Sequence, residues 1–139
     1  MDMKLEVVIL PVSDVDRAKD FYVNRVGFHV DVDHQPSEDF RVVQMTPPGS
    51  ACSVTIGVGL SVGEPGAVKG THLVVTDIEA ACEGLRDRGV DVDDIRHMTA
   101  DGWVNGVDPD RADYGSFSGF SDPDGNSWIL QEVGHGSAH

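Results

Sequence analysis

The sequence is short of cysteine, of basic residues and of long apolar runs, and each shortage excludes a class of protein. Its two cysteines, Cys52 and Cys82, are not spaced as metal ligands and are typical of reduced, small apolar residues in a cytoplasmic protein. No stretch is long enough to span a membrane, and the N-terminus lacks the basic-then-apolar pattern of a signal peptide. These features predict a soluble, cytoplasmic protein.

The shortage of positive charge limits the possible partners. Lys and Arg total 10 against 24 Asp and Glu, so the formal net charge is −14. Such an acidic surface repels nucleic acid phosphates and anionic lipids, so neither nucleic acid nor a membrane is expected as a partner. We interpret the acidity as a solvated surface, with a dedicated acidic docking face as the alternative. No Ser-His-Asp or Cys-His arrangement and no phosphate-cradling glycine loop are recognisable either.

The sequence does contain a repeated strand and helix pattern. Residues 5–10 predict a strand, Ser13 a helix N-cap with Asp16 in a capping-box position, and Gly27 the end of that helix. Further elements are predicted as strands over residues 28–32, 40–45 and 52–58, with a polar loop over residues 34–39. The first half is therefore expected to be β-α-β-β-β.

The same pattern restarts in the second half. A strand over residues 71–75 precedes a helix that Thr76 is expected to cap, with Glu79 in the capping-box position and Gly89 at its end. The next elements are predicted as a strand that begins with residues 90–92, a long polar loop over 99–114, and strands over 115–120 and 128–133. A period near 60 residues indicates two copies of one supersecondary unit. The expected organisation is modules 1–62 and 70–134, a linker 63–69 and a disordered tail 135–139.

Four motifs together resemble a known family. They are LPVSDVDRAKDFY at residues 10–22, GF at 27–28, VTDIEAA at 75–81 and the turn DPDGN at 122–126. In this order the chain resembles the vicinal oxygen chelate superfamily, which includes glyoxalase I, bleomycin-resistance proteins and extradiol dioxygenases. The resemblance implies an α+β fold of two βαβββ modules whose sheets curl into an open barrel around a cavity. It also implies that the cavity often holds a divalent metal and that a homodimer is expected.

The positions at which metal-binding relatives carry their ligands can be counted from these motifs. In this chain they are occupied by Val7, Thr55, Gly70 and Ile129. No carboxylate, imidazole or thiolate stands there, whereas a divalent ion needs several converging oxygen, nitrogen or sulfur donors. We therefore expect no metal and no other cofactor. The alternative is a divalent metal in a displaced site formed by His72, Gln131 and His97. Glu6 and Glu132 belong to the opposite strand faces and are poor ligand candidates.

The residues expected to line this cavity are the predicted ligand-binding residues. They are Val7, Thr55, His72, Trp103, Ile129 and Gln131. His72 is the candidate catalytic acid or base, and a structural hydrogen-bonded histidine is the alternative. Arg41 and Arg111 are interpreted either as binders of an anionic ligand group or as partners of surface carboxylates. Trp128 is expected to lie in the core.

These residues support three hypotheses for function. The first is a metal-free small-molecule binder that takes an apolar or aromatic ligand, either to sequester it or to convert it by acid/base chemistry at His72. The second is a metal-dependent lyase or dioxygenase with a displaced site. The third is a non-catalytic interaction module. Metal content and ligand screening separate the three.

Overall fold

The chain divides into two compact units, which are described separately. The computed structural model describes residues 1–60 and 62–135. Ser61, within the predicted first module, and residues 136–139 of the predicted disordered tail lie outside the described residues. The first unit comprises Met1–Val68 and Asp122–Asn126, and the second comprises Lys69–Ser121 and the chain from Ser127 onward. Among the described residues, no helix is both long and apolar enough to cross a membrane.

The first unit packs one helical segment on a twisted sheet. Its strands are β1 (Val7–Ile9), β2 (His29–Ser37), β3 (Phe40–Thr46) and β4 (Ser53–Val58), in the spatial order β1-β4-β3-β2. Strand β1 runs parallel to β4, and the other pairs are antiparallel. Residues 34–37, predicted as a loop, continue β2 instead, because pairing with β3 satisfies their backbone groups at the sheet edge without burying them.

The helical segment of the first unit begins one residue later than predicted. Helix α1 spans Val15–Asp20 and continues as a π-helical segment over Phe21–Val26. The N-cap is Asp14, whose carboxylate accepts a hydrogen bond from Arg17 N, so the assignment of this role to Ser13 is wrong. The segment ends at Gly27 with φ +99°, a left-handed conformation that favours glycine, as predicted.

The DPDGN turn anchors the motifs of the first unit to one another. Asp122 accepts hydrogen bonds from Tyr22 Oη at 2.7 Å and from Asn126 Nδ2 at 2.8 Å. Asn126, which is fully buried, also donates to Pro11 O at 2.8 Å. Asp124 accepts a hydrogen bond from Ser13 N at 3.0 Å. These contacts satisfy buried polar groups, so the motif residues that carry the family resemblance stabilise the fold.

The second unit repeats the arrangement with one additional strand. Its elements are β5 (Thr71–Val75), α2 (Ile78–Asp87), β6 (Arg96–Thr99), β7 (Gly102–Asn105), β8 (Ser116–Ser121) and β9 (Ser127–Glu132). The sheet order is β5-β9-β8-β6-β7, with β5 parallel to β9. The prediction of an α+β fold with two modules built on the βαβββ pattern is therefore confirmed, with strand β7 inserted into the second.

Several predictions for the second unit are wrong in detail. The N-cap of α2 is Asp77, which accepts from Ala80 N, and not Thr76. Residues 90–92 form no strand, although Val90 and Val92 are buried, and the next strand begins at Arg96. The predicted loop over residues 99–114 contains β7, which pairs with β6 as a hairpin. His135, assigned to the disordered tail, is placed with its Nε2 2.5 Å from Thr76 O.

Candidate ligand-binding site

The sheet of the second unit has two faces of different character. Helix α2 and the inner face of β9 form a core whose buried residues include Trp128, Leu130 and Glu132. The alternate positions of β9, Ile129 and Gln131, point the other way and are partly exposed. Cross-strand register extends that second face over the whole sheet. We call it the open face, and its residues are His72, Val74, Arg96, Met98, Trp103, Phe117, Ile129 and Gln131.

An aromatic pair with a cation lies at one end of the open face. The rings of Trp103 and Phe117 meet edge to face, with centroids 5.3 Å apart. The guanidinium carbon of Arg96 lies 5.0 Å from the centroid of the Trp103 ring, within cation–π range. Trp103 is 50% exposed, so part of its ring is accessible to solvent. Together these groups provide an apolar platform with one positive charge.

His72 lies on the same face but on β5, the edge strand opposite to β7. It lies opposite Ile129 in the β5–β9 register. Two residues further along the same strands, Val74 lies opposite Gln131. Its Nδ1 lies 2.6 Å from Gly70 O. Because a carbonyl oxygen can only accept, this bond assigns the proton to Nδ1 and leaves Nε2 as the acceptor nitrogen of the neutral ring. The imidazole is therefore oriented by the backbone and able to take up a proton at Nε2.

The structure thus brings four of the six predicted ligand-binding residues to one sheet face. These four are His72, Trp103, Ile129 and Gln131. The other two, Val7 and Thr55, belong to the first unit, on the paired strands β1 and β4. Val7 is 39% exposed, whereas Thr55 is 7% exposed.

Arg111 lies between β7 and β8 and forms hydrogen bonds to a carboxylate on the buried face of the sheet. Its guanidinium donates to Glu132 Oε1 at 2.7 Å and Oε2 at 2.5 Å, and to Glu79 Oε1 at 3.1 Å. Burial would raise the pKa of Glu132, but hydrogen bonds from Arg111 and from Ile78 N outweigh it and hold that pKa below its ordinary value. Arg111 therefore serves a buried carboxylate and leaves the charge of the open face to Arg96.

Arg41 is likewise occupied by carboxylates. It donates to both oxygens of Asp33, at 3.1 and 2.9 Å, and to Asp16 at 2.7 Å. Hydrogen bonds from Arg41, and then from Lys19, hold the pKa of Asp33 well below its usual range. Arg41 also lines a cavity of about 610 Å³ at the start of α1. None of the predicted ligand-binding residues is among the described residues that line it, and its guanidinium is already neutralised, so we do not assign the ligand site there.

The family of this chain follows from a match over most of its length. Residues 4–130 match the family model described as the Glyoxalase/Bleomycin resistance protein/Dioxygenase superfamily. The chain belongs to this superfamily. The resemblance inferred from the four motifs is thereby confirmed.

Relatives within the superfamily include proteins of known structure. One is TnmS3, an antibiotic binding protein from Streptomyces sp. CB03234, which is 33% identical, with 96% of this chain and 98% of TnmS3 covered and a TM-score of 0.74. Another is a superfamily member from Sphaerobacter thermophilus DSM 20745, 31% identical over 95% and 98% of the two chains, with a TM-score of 0.72. The Bacillus subtilis (strain 168) protein YetH is 26% identical over 95% of this chain and 100% of its own length, and its function is uncharacterized.

The positions used for metal binding within the superfamily do not fit a divalent ion in this chain. Val7, Gly70 and Ile129 offer no side-chain donor, and Thr55 offers a single neutral hydroxyl. Within residues 1–60 and 62–135, no group of three or more His, Cys, Asp or Glu side chains is placed to hold a metal ion. Of the residues considered for a displaced site, His72 and Gln131 share the open face, whereas His97 alternates with Arg96 and belongs to the opposite face.

Arg96 and Phe117 are absent from the residues predicted from the sequence. Arg96 belongs to the β6–β7 hairpin, which the sequence marks with Asp101-Gly102, a pair typical of hairpin turns, whereas Phe117 lies on β8. That signal could have identified the hairpin and placed Trp103 on a strand. It could not have shown that Arg96 lies opposite Phe117, because this register follows from the pairing of β6 with β8.

Proposed function

We propose that this protein binds a small, planar, largely apolar molecule on the open face of the second unit and sequesters it, and that it does so without a metal. The observation that carries the proposal is the half-exposed Trp103, paired with the partly buried Phe117 on the sheet face opposite to α2. Aromatic ligands pair favourably with such rings, by about 0.5–1.5 kcal/mol beyond the apolar area that they bury. The relative TnmS3, described as an antibiotic binding protein, adds support.

The polar groups of the open face suit a ligand with a few polar substituents. The Gln131 amide, opposite Phe117, can both donate and accept, and His72 at the far edge of the same face presents an acceptor nitrogen. Apolar pockets with few, convergent polar groups are typical of small-molecule sites. Such a face selects a ligand by ring shape first and by its hydrogen-bonding groups second.

A screen of planar aromatic compounds by isothermal titration calorimetry tests the proposal. We expect Trp103→Ala to weaken binding of any hit by about tenfold, the effect of removing one ring contact of about 1.4 kcal/mol. The matched control is Val104→Ala, which truncates an exposed apolar residue on the other face of β7. Equal affinities for wild type and Trp103→Ala, or equal losses in both variants, would contradict the proposed site. A complete lack of hits would favour the non-catalytic interaction module.

Acid/base turnover of the bound molecule is the second candidate function. It is favoured by the orientation of His72, whose Nε2 is left as an acceptor by the bond from Nδ1 to Gly70 O. Mass spectrometry of a ligand after incubation with wild type and with His72→Ala distinguishes the two functions. Conversion by wild type alone supports turnover, whereas recovery of unchanged ligand from both supports sequestration.

The metal-dependent lyase or dioxygenase remains the alternative that metal analysis tests. Protein purified without chelator or a histidine tag is expected to contain less than stoichiometric Ni, Zn, Mn or Fe. Stoichiometric metal that disappears in His72→Ala would overturn the metal-free proposal.

The homodimer and the cytoplasmic location stay predictions, and sedimentation velocity tests the first of them.

A further inference from the structure

We propose that Arg96 makes the site selective for aromatic ligands that carry an anionic group, such as a carboxylate or a phenolate, beside the planar ring. This inference rests on the proposed function and specifies its ligand class. It concerns a residue on the open face that neither the sequence motifs nor the family's metal positions include.

The position of Arg96 places its charge beside the aromatic platform. On β6 it lies opposite Phe117 of β8 on one side and opposite Asn105 of β7 on the other. Its guanidinium carbon lies over the ring of Trp103, 5.0 Å from the centroid. Because Arg96 lies directly opposite Phe117, a ligand ring that packs on Phe117 would have its edge next to the guanidinium.

Arg96 forms no ion pair with a carboxylate within residues 1–60 and 62–135. Several other arginines form ion pairs with acidic side chains, namely Arg17, Arg25, Arg41 and Arg111. Among the described residues, none places a carboxylate within ion-pairing distance of Arg96. In a chain with 24 acidic residues and a net charge of −14, a partly exposed guanidinium without a carboxylate is informative.

The chemistry of a stacked guanidinium favours an anion that approaches in the plane of the ring. Stacking on Trp103 limits the rotamers of Arg96 while leaving its N–H groups at the edge of the fork. A planar carboxylate can accept two parallel hydrogen bonds from such a fork, and these charge-assisted bonds are about twice as strong as neutral ones. A neutral carbonyl or amide at the same place forms weaker bonds. The expected consequence is discrimination by charge at equal ring size.

The alternative role for Arg96 is structural. A cation over an exposed tryptophan contributes about 0.5–1 kcal/mol to stability without any ligand. In that case a substitution at Arg96 would lower stability slightly and would affect charged and neutral ligands equally. The two roles therefore differ in ligand preference, which a matched pair of probes can measure.

Naphthalene-2-carboxylate and naphthalene-2-carboxamide are such a pair, since they share ring and shape and differ in charge. By calorimetry at pH 7.5, we expect wild type to bind the carboxylate about tenfold more tightly than the amide. In Arg96→Gln the two affinities should agree within about twofold, and Arg96→Lys should retain part of the preference. Lys4→Gln, which removes the same charge from an exposed position, should leave the preference unchanged.

The outcomes separate this inference from the proposed function. If wild type binds both probes equally, or if Arg96→Gln keeps the preference, the role of Arg96 is refuted while aromatic binding stands. If wild type binds neither probe, the proposed function fails together with the inference. Trp103→Ala should weaken both probes, since both use the ring contact.

Discussion

Each face of the sheet in the second unit carries a tryptophan–phenylalanine pair, but the two tryptophans differ in exposure. The buried face stacks Trp128 on Phe120, with ring centroids 6.1 Å apart, and the open face sets Trp103 against Phe117 at 5.3 Å. Trp128 is 2% exposed and Trp103 is 50% exposed. The backbone is shared, so the difference lies in what covers each face. Helix α2 covers the buried face, whereas Trp103 on the open face remains half exposed.

The charged residues repeat this contrast. On the buried face Glu132 is fully buried and is held by Arg111 and by Ile78 N, which ties α2 to the sheet. On the open face Arg96 has an aromatic ring beneath it and no described carboxylate beside it. The Glu132 carboxylate is fully paired within the fold, whereas the Arg96 guanidinium could still bind an anion. Substitutions on the two faces should therefore separate stability from binding.

Truncation on the buried face should have the largest effect on stability. Trp128→Ala removes a fully packed ring and leaves a cavity in the core, which costs about 4 kcal/mol of the free energy of unfolding. Urea denaturation monitored by circular dichroism measures this change. A loss below about 1 kcal/mol would mean that the buried face is not the core of the second unit.

Loss of the buried carboxylate should have the next largest effect, and the effect should depend on pH. Glu132→Gln weakens charge-assisted hydrogen bonds from Arg111 and Ile78 N and is expected to cost about 2 kcal/mol near pH 7.

The sign of the pH dependence follows from the lowered pKa of Glu132. Its contribution is fully present above the ordinary glutamate pKa of about 4.3 and is lost as the pH falls through the lower pKa of the folded state. The difference in unfolding free energy between wild type and Glu132→Gln should therefore shrink in acid. A difference that grows as the pH falls would contradict the assignment.

Truncation on the open face should scarcely change stability. Trp103→Ala removes a half-exposed ring and one edge-to-face contact, so we expect a loss below about 1 kcal/mol in the same urea experiment. Its main effect should be on ligand affinity. A loss as large as that of Trp128→Ala would abolish the distinction between the two faces.

Neutralisation of Arg96 should have the smallest effect on stability. Arg96→Gln removes one exposed cation–π contact, for which we expect about 0.5 kcal/mol. Thermal denaturation at equal protein concentration detects a change of this size. A cost of several kcal/mol would assign Arg96 to the fold and leave its role in recognition without support.

Elements with strong local signals could be predicted from the sequence, and those set by tertiary partners could not. Gly27 marks the end of the first helical segment because few other residues tolerate φ +99°. Ser13-Asp14 and Thr76-Asp77 each offer two good capping residues, and the sequence does not choose between them. In the first pair Ser13 is engaged by Asp124 from a distant turn, while Asp14 caps the helix.

The candidate site shows the same division. Strand alternation is sufficient to place Ile129 and Gln131 on one face and Trp128 and Glu132 on the other. Strand pairing, which the sequence does not specify, brings Phe117 next to Gln131. Residues selected along one strand were therefore predictable, whereas neighbours across strands required the structure.

Two-dimensional NMR of the indole N–H groups tests the central claim most directly, because the chain has two tryptophans, one on each face. Trp103→Phe assigns the two signals. During titration with a planar aromatic ligand, the Trp103 signal should shift progressively while the Trp128 signal stays in place. Binding that shifts only the Trp128 signal, or neither signal, would contradict a ligand site on the open face.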